Sequence, residues 1–139
     1  DLALFVFDLD FFKRVNDTYG HAAGDQVLRR VAKLLQHVTR ASDMVARFGG
    51  EEFLVVLPDA AAEIAGNIAE RVCTMIRRLK IGPDLIEITA SIGVSLRYNA
   101  AQTHVHLTAQ ELLKQADRAL YRAKAMGRDR VSYFAEQAA

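Results

Sequence analysis

The chain has 139 residues, 51% of them hydrophobic and 25% charged, with a net charge of +1. That balance belongs to one globular domain and excludes a disordered segment, and the near-neutral charge excludes a strong field aimed at DNA or a membrane surface. A single cysteine, Cys73, excludes an internal disulfide framework and fits a reducing compartment, while no apolar run reaches the length of a membrane span and no signal peptide is recognised.

Leu2 to Phe7 is an unbroken apolar run, the pattern of a central strand covered on both faces, and it ends in Asp8-Leu9-Asp10. A short helix is predicted from Phe12 to Asp17, stopped by Gly20. An amphipathic helix follows from about His21 to Val38, with Val27, Leu28, Val31, Leu34, Leu35 and Val38 on one face. Met44 to Phe48 and Phe53 to Leu57 read as hairpin strands around Gly49-Gly50-Glu51-Glu52, closed by Pro58. Glycine takes φ > 0 there without steric cost. Ile64, Ile68, Val72, Ile76 and Leu79 mark a third helix ended by Gly82-Pro83, on which Cys73 reads as a small hydrophobe. From Ile86 to Leu96 apolar residues alternate with polar or small ones, so a long strand with one buried face is expected. A polar loop from Asn99 to Thr108 precedes a last helix, Ala109 to Met126, with Leu112, Leu113, Ala116 and Leu120 inward. Gly127 ends it, and Val131 to Phe134 reads as the final strand. The order β-α-α-β-β-α-β-α-β predicts an α+β sheet of the split-βαβ kind. No repeat or linker divides it, so residues 1–139 read as one domain. Its abrupt opening in a strand suggests a piece of a longer protein.

A hairpin does not require two consecutive carboxylates at its tip. Held close, they repel each other unless a cation lies between them, although a solvated acidic turn is the commoner case. Asp8 changes the balance. If the first strand is central and the hairpin pairs beside it, Asp8 and Glu51 can face each other across adjacent strands. Carboxylates from two backbone segments then suit a hard divalent ion, Mg²⁺ above all, which favours one or two carboxylates plus phosphate oxygens. The alternative for Asp8 is a helix cap.

Four strings make the pattern specific: Asp8-x-Asp10-x-Phe12-Lys13-x-x-Asn16-Asp17, Gly20-His21-x-x-Gly24-Asp25, Arg47-x-Gly49-Gly50-Glu51-Glu52-Phe53 and Ala123-Lys124-x-x-Gly127-Arg128. In this order and spacing the chain resembles the GGDEF family of diguanylate cyclases, in its GGEEF form. The resemblance implies an α+β fold with a central, mostly antiparallel five-stranded sheet flanked by helices, resembling the palm of nucleotidyl cyclases and polymerases. It implies condensation of two GTP molecules into cyclic di-GMP with pyrophosphate leaving, and Mg²⁺ or Mn²⁺, two per GTP site. Asp8 would hold both ions and the Leu9 carbonyl would touch one. Glu51 would ligate metal and help deprotonate the attacking 3′-hydroxyl, and Glu52 would support the site. Backbone N–H groups of Phe11, Phe12 and Lys13 would meet the terminal phosphates at a helix start. Lys124 and Arg128 would add charged contacts, the alternative being solvated cations at a helix end. Gly50 would let nucleotide approach the backbone. Asn16 and Asp25 would read guanine, whose N1–H and amino donors adenine lacks; the alternatives are a helix-end residue and a first-turn charge.

Arg40-Ala41-Ser42-Asp43, with five residues between Asp43 and Gly49, matches the family's inhibitory R-x-x-D site for product, and Arg71 matches a secondary arginine. The alternative is a surface ion pair. His21, His37, His104 and His106 form no transition-metal pattern, and Tyr19, Tyr98, Tyr121 and Tyr133 read as packing residues. The expected catalytic unit is a homodimer presenting two GTP sites face to face, fused to an upstream sensory or dimerising domain, cytoplasmic, with no nucleic-acid partner. The helix and turn that precede the first strand in the family are expected to be missing, and with them part of the guanine pocket wall. Two rivals are a cyclic di-GMP receptor that synthesises nothing, against which Asp8, Glu51 and Glu52 argue, and a cyclase of altered base choice, against which Asp25 argues.

Overall fold

The opening apolar run forms β1 (Leu2–Leu9), two residues longer than predicted, so that Asp8 lies inside the sheet. In the computed structural model, which describes residues 1–97 and 107–135, there follow α1 (Phe12–Tyr19), α2 (His21–Val38), β2 (Met44–Arg47) and β3 (Glu52–Pro58). Then come α3 (Ala62–Arg77), β4 (Ala90–Arg97), α4 (Ala109–Ala125) and β5 (Arg130–Tyr133). The order of elements is the predicted one. Residues 99–106 of the predicted loop, with Tyr98, His104 and His106, lie outside the described residues.

The five strands form one sheet in the order β2-β3-β1-β4-β5. Only β4–β5 is parallel; β1 pairs antiparallel with β3 on one side and β4 on the other. Because β1 is central, alternate residues feed two cores. Ala3, Phe5, Phe7 and Leu9 pack with residues of α1, α2 and α3, whereas Leu4 and Val6 pack with Leu112, Ala116 and Leu120 of α4. Among the described residues no helix is long and apolar enough to cross a membrane.

Several expectations are corrected. The strand predicted over Ile86–Leu96 begins only at Ala90, because Ile81 and Ile86 pair across a turn in which Gly82 has φ 70°. Both faces of β4 are buried: Ser91, Gly93 and Ser95 are covered, and Ser95 Oγ donates to the Leu112 carbonyl of α4 at 2.8 Å. The third helix stops at Arg77, and Ile64 is exposed on it. Ala65, Ala69, Val72, Cys73 and Ile76 form its buried stripe. Tyr19 and Tyr121 are exposed, not packed, whereas Tyr133, though partly open to solvent, lies against Gly66 of α3 and donates to its carbonyl at 3.4 Å. The hairpin glycines Gly49 and Gly50 do not take positive φ.

Candidate active site

The end of β1 is held in register by an aromatic pair. Phe7 and Phe53 are cross-strand partners with rings stacked 5.2 Å apart and 13° from parallel. The next step of the ladder sets Asp8 opposite Glu52, and the Leu9 N–H then donates to the Glu51 carbonyl at 3.2 Å. The expected facing pair was Asp8 and Glu51; the register is one residue different, because β3 starts at Glu52. Glu51 stands half-buried at the turn.

Like charges directly opposite in a sheet are destabilising. Lys124 on α4 offsets part of this by pairing with one carboxylate oxygen of Asp8. The other, Asp8 Oδ1, is buried without any hydrogen-bond partner. Burial first, and the Asp8 carboxylate second, hold the Glu52 carboxyl above its ordinary 4.5. Asp117, two helical turns before Lys124 on α4, is raised by burial and then by Asp8. Sequence reasoning missed Asp117, although its seven-residue spacing from Lys124 places both on one helix face.

This arrangement fits a hard divalent cation. All available donors are oxygens, one of them buried and unsatisfied, in a region of excess negative charge. Among the described residues no three His, Cys, Asp or Glu side chains converge as a closed metal cage. Mg²⁺ does not need one when phosphates complete its shell. Glu52→Gln should therefore raise the melting temperature by about 2–3 °C without divalent ions at neutral pH. A carboxyl raised by folding supports stability fully below its ordinary 4.5 and loses that support as pH rises through its folded value. The gain should thus vanish below pH 4.5, and Mg²⁺ should stabilise the unaltered protein but not the variant. Thermal melts across pH with and without Mg²⁺ check both.

Asp10, also buried, has no free oxygen. It accepts from Thr89 Oγ1 at 2.7 Å, Ser91 Oγ at 2.7 Å and the Asp129 N–H at 3.0 Å. Phe11 caps α1 in the left-handed region, φ 55°, and no side chain caps that helix. The N–H groups of its first turn, on Phe12 and Lys13, therefore face outward without intrahelical partners. The guanidinium groups of Arg14 and Arg128 lie 4.3 and 4.7 Å from the Phe11 ring centroid, so two cations flank this helix start. Lys124 and Arg128 thus both reach the end of β1, with Lys124 engaged on Asp8 and Arg128 over the Phe11 ring.

Asn16 and Asp25 lie on neighbouring helices, α1 and α2, joined at Gly20, whose φ is 91°. Asn16 is half-buried and Asp25 exposed. Asp25 lines a cleft of about 500 Å³ with Leu28, Arg29, Val45, Arg47 and Phe53. Gly24 explains how α2 approaches so closely: a Cβ there would lie 1.9 Å from Asn16 Oδ1. That atom ends a flexible side chain, so Gly24→Ala should displace Asn16 without unfolding the protein. Alanine in a helix gains up to about 1 kcal/mol over glycine. We expect unchanged or higher stability with roughly tenfold weaker guanine-nucleotide binding, measured by calorimetry beside a thermal melt.

The hairpin tip is shaped by Arg47, whose Nε donates to the Gly49 and Gly50 carbonyls at 3.1 and 3.2 Å. The Phe48 N–H closes the turn onto the Glu52 carbonyl at 2.7 Å. A Cβ on Gly50 would meet nothing within 4 Å, so the space beside it is open.

At the far end of β3, Arg40 and Asp43 pair with each other. Arg40 Nη2 stands 3.1 Å from Asp43 Oδ1 and also donates to the Pro58 carbonyl at 2.9 Å, while the Arg40 N–H donates to Asp43 Oδ2 at 2.7 Å. Arg71 is exposed on α3, and no hydrogen bond or ion pair joins it to Arg40 or Asp43.

The family model "Diguanylate cyclase, GGDEF domain" matches residues 1–130. Diguanylate cyclase A of Treponema denticola is 45% identical over 133 residues, covering 94% of this chain and 34% of that protein. The chain therefore spans about a third of the curated relative's length. The active GGEEF domain of a diguanylate cyclase from Vibrio cholerae superposes with a TM-score of 0.88 at 32% identity, covering 98% of this chain and 84% of that one. The GGDEF domain of DgcB from Caulobacter crescentus, in complex with c-di-GMP, gives 0.83 at 35% identity, covering 95% and 77%. With its four sequence strings gathered at the open end of one five-stranded sheet, this chain belongs to the GGDEF family.

Proposed function

We propose that the chain is the catalytic domain of a diguanylate cyclase, which joins two GTP into cyclic di-GMP and releases two pyrophosphates. The observation that carries this reading is the buried, unpartnered Asp8 Oδ1, set opposite Glu52 at a sheet end flanked by Lys124 and Arg128. Among the described residues no hydrogen-bond partner satisfies that oxygen, and an oxygen-seeking cation brought with a triphosphate would. Asp8, the Leu9 carbonyl, Glu51 and Glu52 would hold Mg²⁺ or Mn²⁺, two per GTP site, and the ions supply charge neutralisation at attacking and leaving oxygens.

The chain's own residues do the rest. The N–H groups of Phe11, Phe12 and Lys13 hold the terminal phosphates at the α1 start, with Arg128 beside them. Lys124 leaves Asp8 for the same phosphates once the carboxylate has another cation. Glu51, free of any described side-chain partner, takes the proton of the 3′-hydroxyl. Asn16 and Asp25 select guanine, and open space at Gly50 admits the nucleotide. Two such domains meet as a homodimer, each presenting one GTP, because one site holds only one of the two reacting molecules.

Incubating GTP and Mg²⁺ with the protein fused to a dimerising coiled coil tests this. Cyclic di-GMP and pyrophosphate should appear in a one-to-two ratio. Tight cyclic di-GMP binding without turnover would instead establish the receptor reading.

Arg40, Asp43 and Arg71 form the proposed product site. The Arg40–Asp43 pair is preformed, with Arg40 half-exposed, so product phosphate and a guanine edge can replace each partner's present contact. Product bound there keeps two GTP sites apart, a coupling between distinct sites. Arg40→Ala should raise the inhibitory concentration of cyclic di-GMP about tenfold and leave initial turnover near that of the unaltered protein. Equal product binding by the variant in calorimetry removes Arg40 from the site.

A further inference from the structure

Arg128 and Asp129 are consecutive non-glycine residues in the left-handed region, φ 65° and 49°. Side chains disfavour that region, so the turn persists only if its surroundings over-determine it. Besides a local bond from Arg130 Nε to the Arg128 carbonyl at 3.0 Å and a long one from Cys73 Sγ to Asp129 Oδ1 at 3.9 Å, three contacts hold it. The Arg128 N–H donates to the Ala123 carbonyl at 2.9 Å, continuing the end of α4. Arg77 pairs with the Asp129 carboxylate at 2.9 Å, but both side chains are more than a third exposed, and such pairs are weak and screened. The third is better shielded, because its acceptor is buried: the Asp129 N–H donates to Asp10 Oδ2 at 3.0 Å. Asp10 is itself fixed by Thr89 and Ser91, and its own N–H donates to the Thr89 carbonyl at 2.8 Å. The turn is thus tied through one carboxylate to the ends of β1 and β4. Its product is the position of the Arg128 guanidinium, 4.7 Å from the Phe11 ring and beside the start of α1.

We propose that Asp10 is a positioning residue that fixes Arg128 at the phosphate end of the site, and so governs the preference for nucleoside triphosphate over monophosphate. This deepens the functional reading and rests on the phosphate role of Arg128. The two aspartates of Asp8-Leu9-Asp10 then divide the work. Asp8 keeps an unsatisfied oxygen for ligand, whereas Asp10 spends every acceptor inside the fold.

The test is calorimetry with Mg²⁺ and two probes, the α,β-methylene analogue of GTP, which cannot release pyrophosphate, and GMP. Asp10→Ala should weaken the triphosphate analogue about tenfold and GMP by less than about twofold. Asp10→Asn should restore binding, because its carbonyl oxygen can accept from Asp129 and Thr89 while its amide donates to Ser91 Oγ. Ser91→Ala, which removes one bond to Asp10 but spares the Asp129 contact, should lower the melting temperature without changing either affinity. The double variant Asp10→Ala/Arg128→Ala should bind no more weakly than Arg128→Ala alone, since one acts through the other. Equal losses for both probes, or a further tenfold loss in the double variant, overturn the proposal. If Arg128→Ala costs tenfold and Asp10→Ala nothing, this inference alone falls; if Arg128→Ala changes neither affinity, the phosphate reading falls with it. Should Asp10→Ala not fold, exchange of the Asp129 amide proton in the unaltered protein decides: protection like that of β1 amides is expected, and free exchange overturns the role.

Discussion

Asp8→Asn should lower cyclic di-GMP synthesis by about 10³-fold or more, because losing ionic stabilisation at the reacting phosphate removes several kcal/mol from the transition state. The fold should survive. Asparagine matches aspartate in volume, and the change removes a charge that faces Glu52 and raises Asp117 while it also removes the partner of Lys124. These effects oppose each other, so the melting temperature without divalent ions should move little. What should vanish is the rise in melting temperature on adding Mg²⁺, which reports cation binding to the native state independently of turnover. Synthesis within tenfold of the unaltered protein, or an undiminished response to Mg²⁺, assigns Asp8 a structural role only.

The largest effect on stability should come from Gly93→Ala. A Cβ at Gly93 would lie 2.1 Å from the Ala116 carbonyl oxygen and 2.3 Å from the Leu120 nitrogen. Both atoms are helix backbone, which cannot step aside as a side chain can. α4 would have to lift from β4, opening the contacts among Leu112, Ala116 and Leu120 and breaking the bond from Ser95 to Leu112. We expect a loss of about 4 kcal/mol or more, at the extreme of single substitutions. Denaturant unfolding checks it, and a loss under about 1 kcal/mol would show that α4 docks loosely. Because α4 also carries Asp117 and Lys124, synthesis should fall even where the variant still folds.

Much of this was legible from local pattern. The unbroken run Leu2–Phe7 gave a central strand, the acid behind it gave Asp8, and four ordered strings gave the family. The failures have physical causes. Serine and glycine at 91, 93 and 95 resemble a solvent-facing side by polarity, yet all three are buried: the backbone of α4 lies against Gly93 and Ser95, and Ser91 donates to Asp10. The register of Asp8 with Glu52, not Glu51, depends on where β3 begins, which the flanking Phe7–Phe53 stack fixes and the turn residues do not reveal. Asp10 could not be separated from Asp8 by sequence, since its partners Thr89, Ser91 and Asp129 stand 79, 81 and 119 residues away. The left-handed pair Arg128-Asp129 carries no local signal, because neither residue type demands that conformation. The hairpin glycines serve space beside the acidic tip more than a special φ.

The central place of β1 bears on how the chain is made. Leu2 finds its partner on one side at Pro58 and on the other at Arg97. At roughly 5–20 residues per second, synthesis takes about 5–20 s to travel from Leu2 to Arg97. Until Pro58 is made neither edge of this most apolar strand of the sheet has its partner, and until Arg97 is made one edge stays open; pairings of such high contact order also form slowly. Leu2-Ala3-Leu4-Phe5-Val6-Phe7 is uncharged and free of proline and glycine, the composition that pairs with other copies of itself. Nascent chains crowded on one messenger should therefore depend on chaperone capture of this segment, and a charge placed at Leu4 should relieve that dependence only by weakening the finished core.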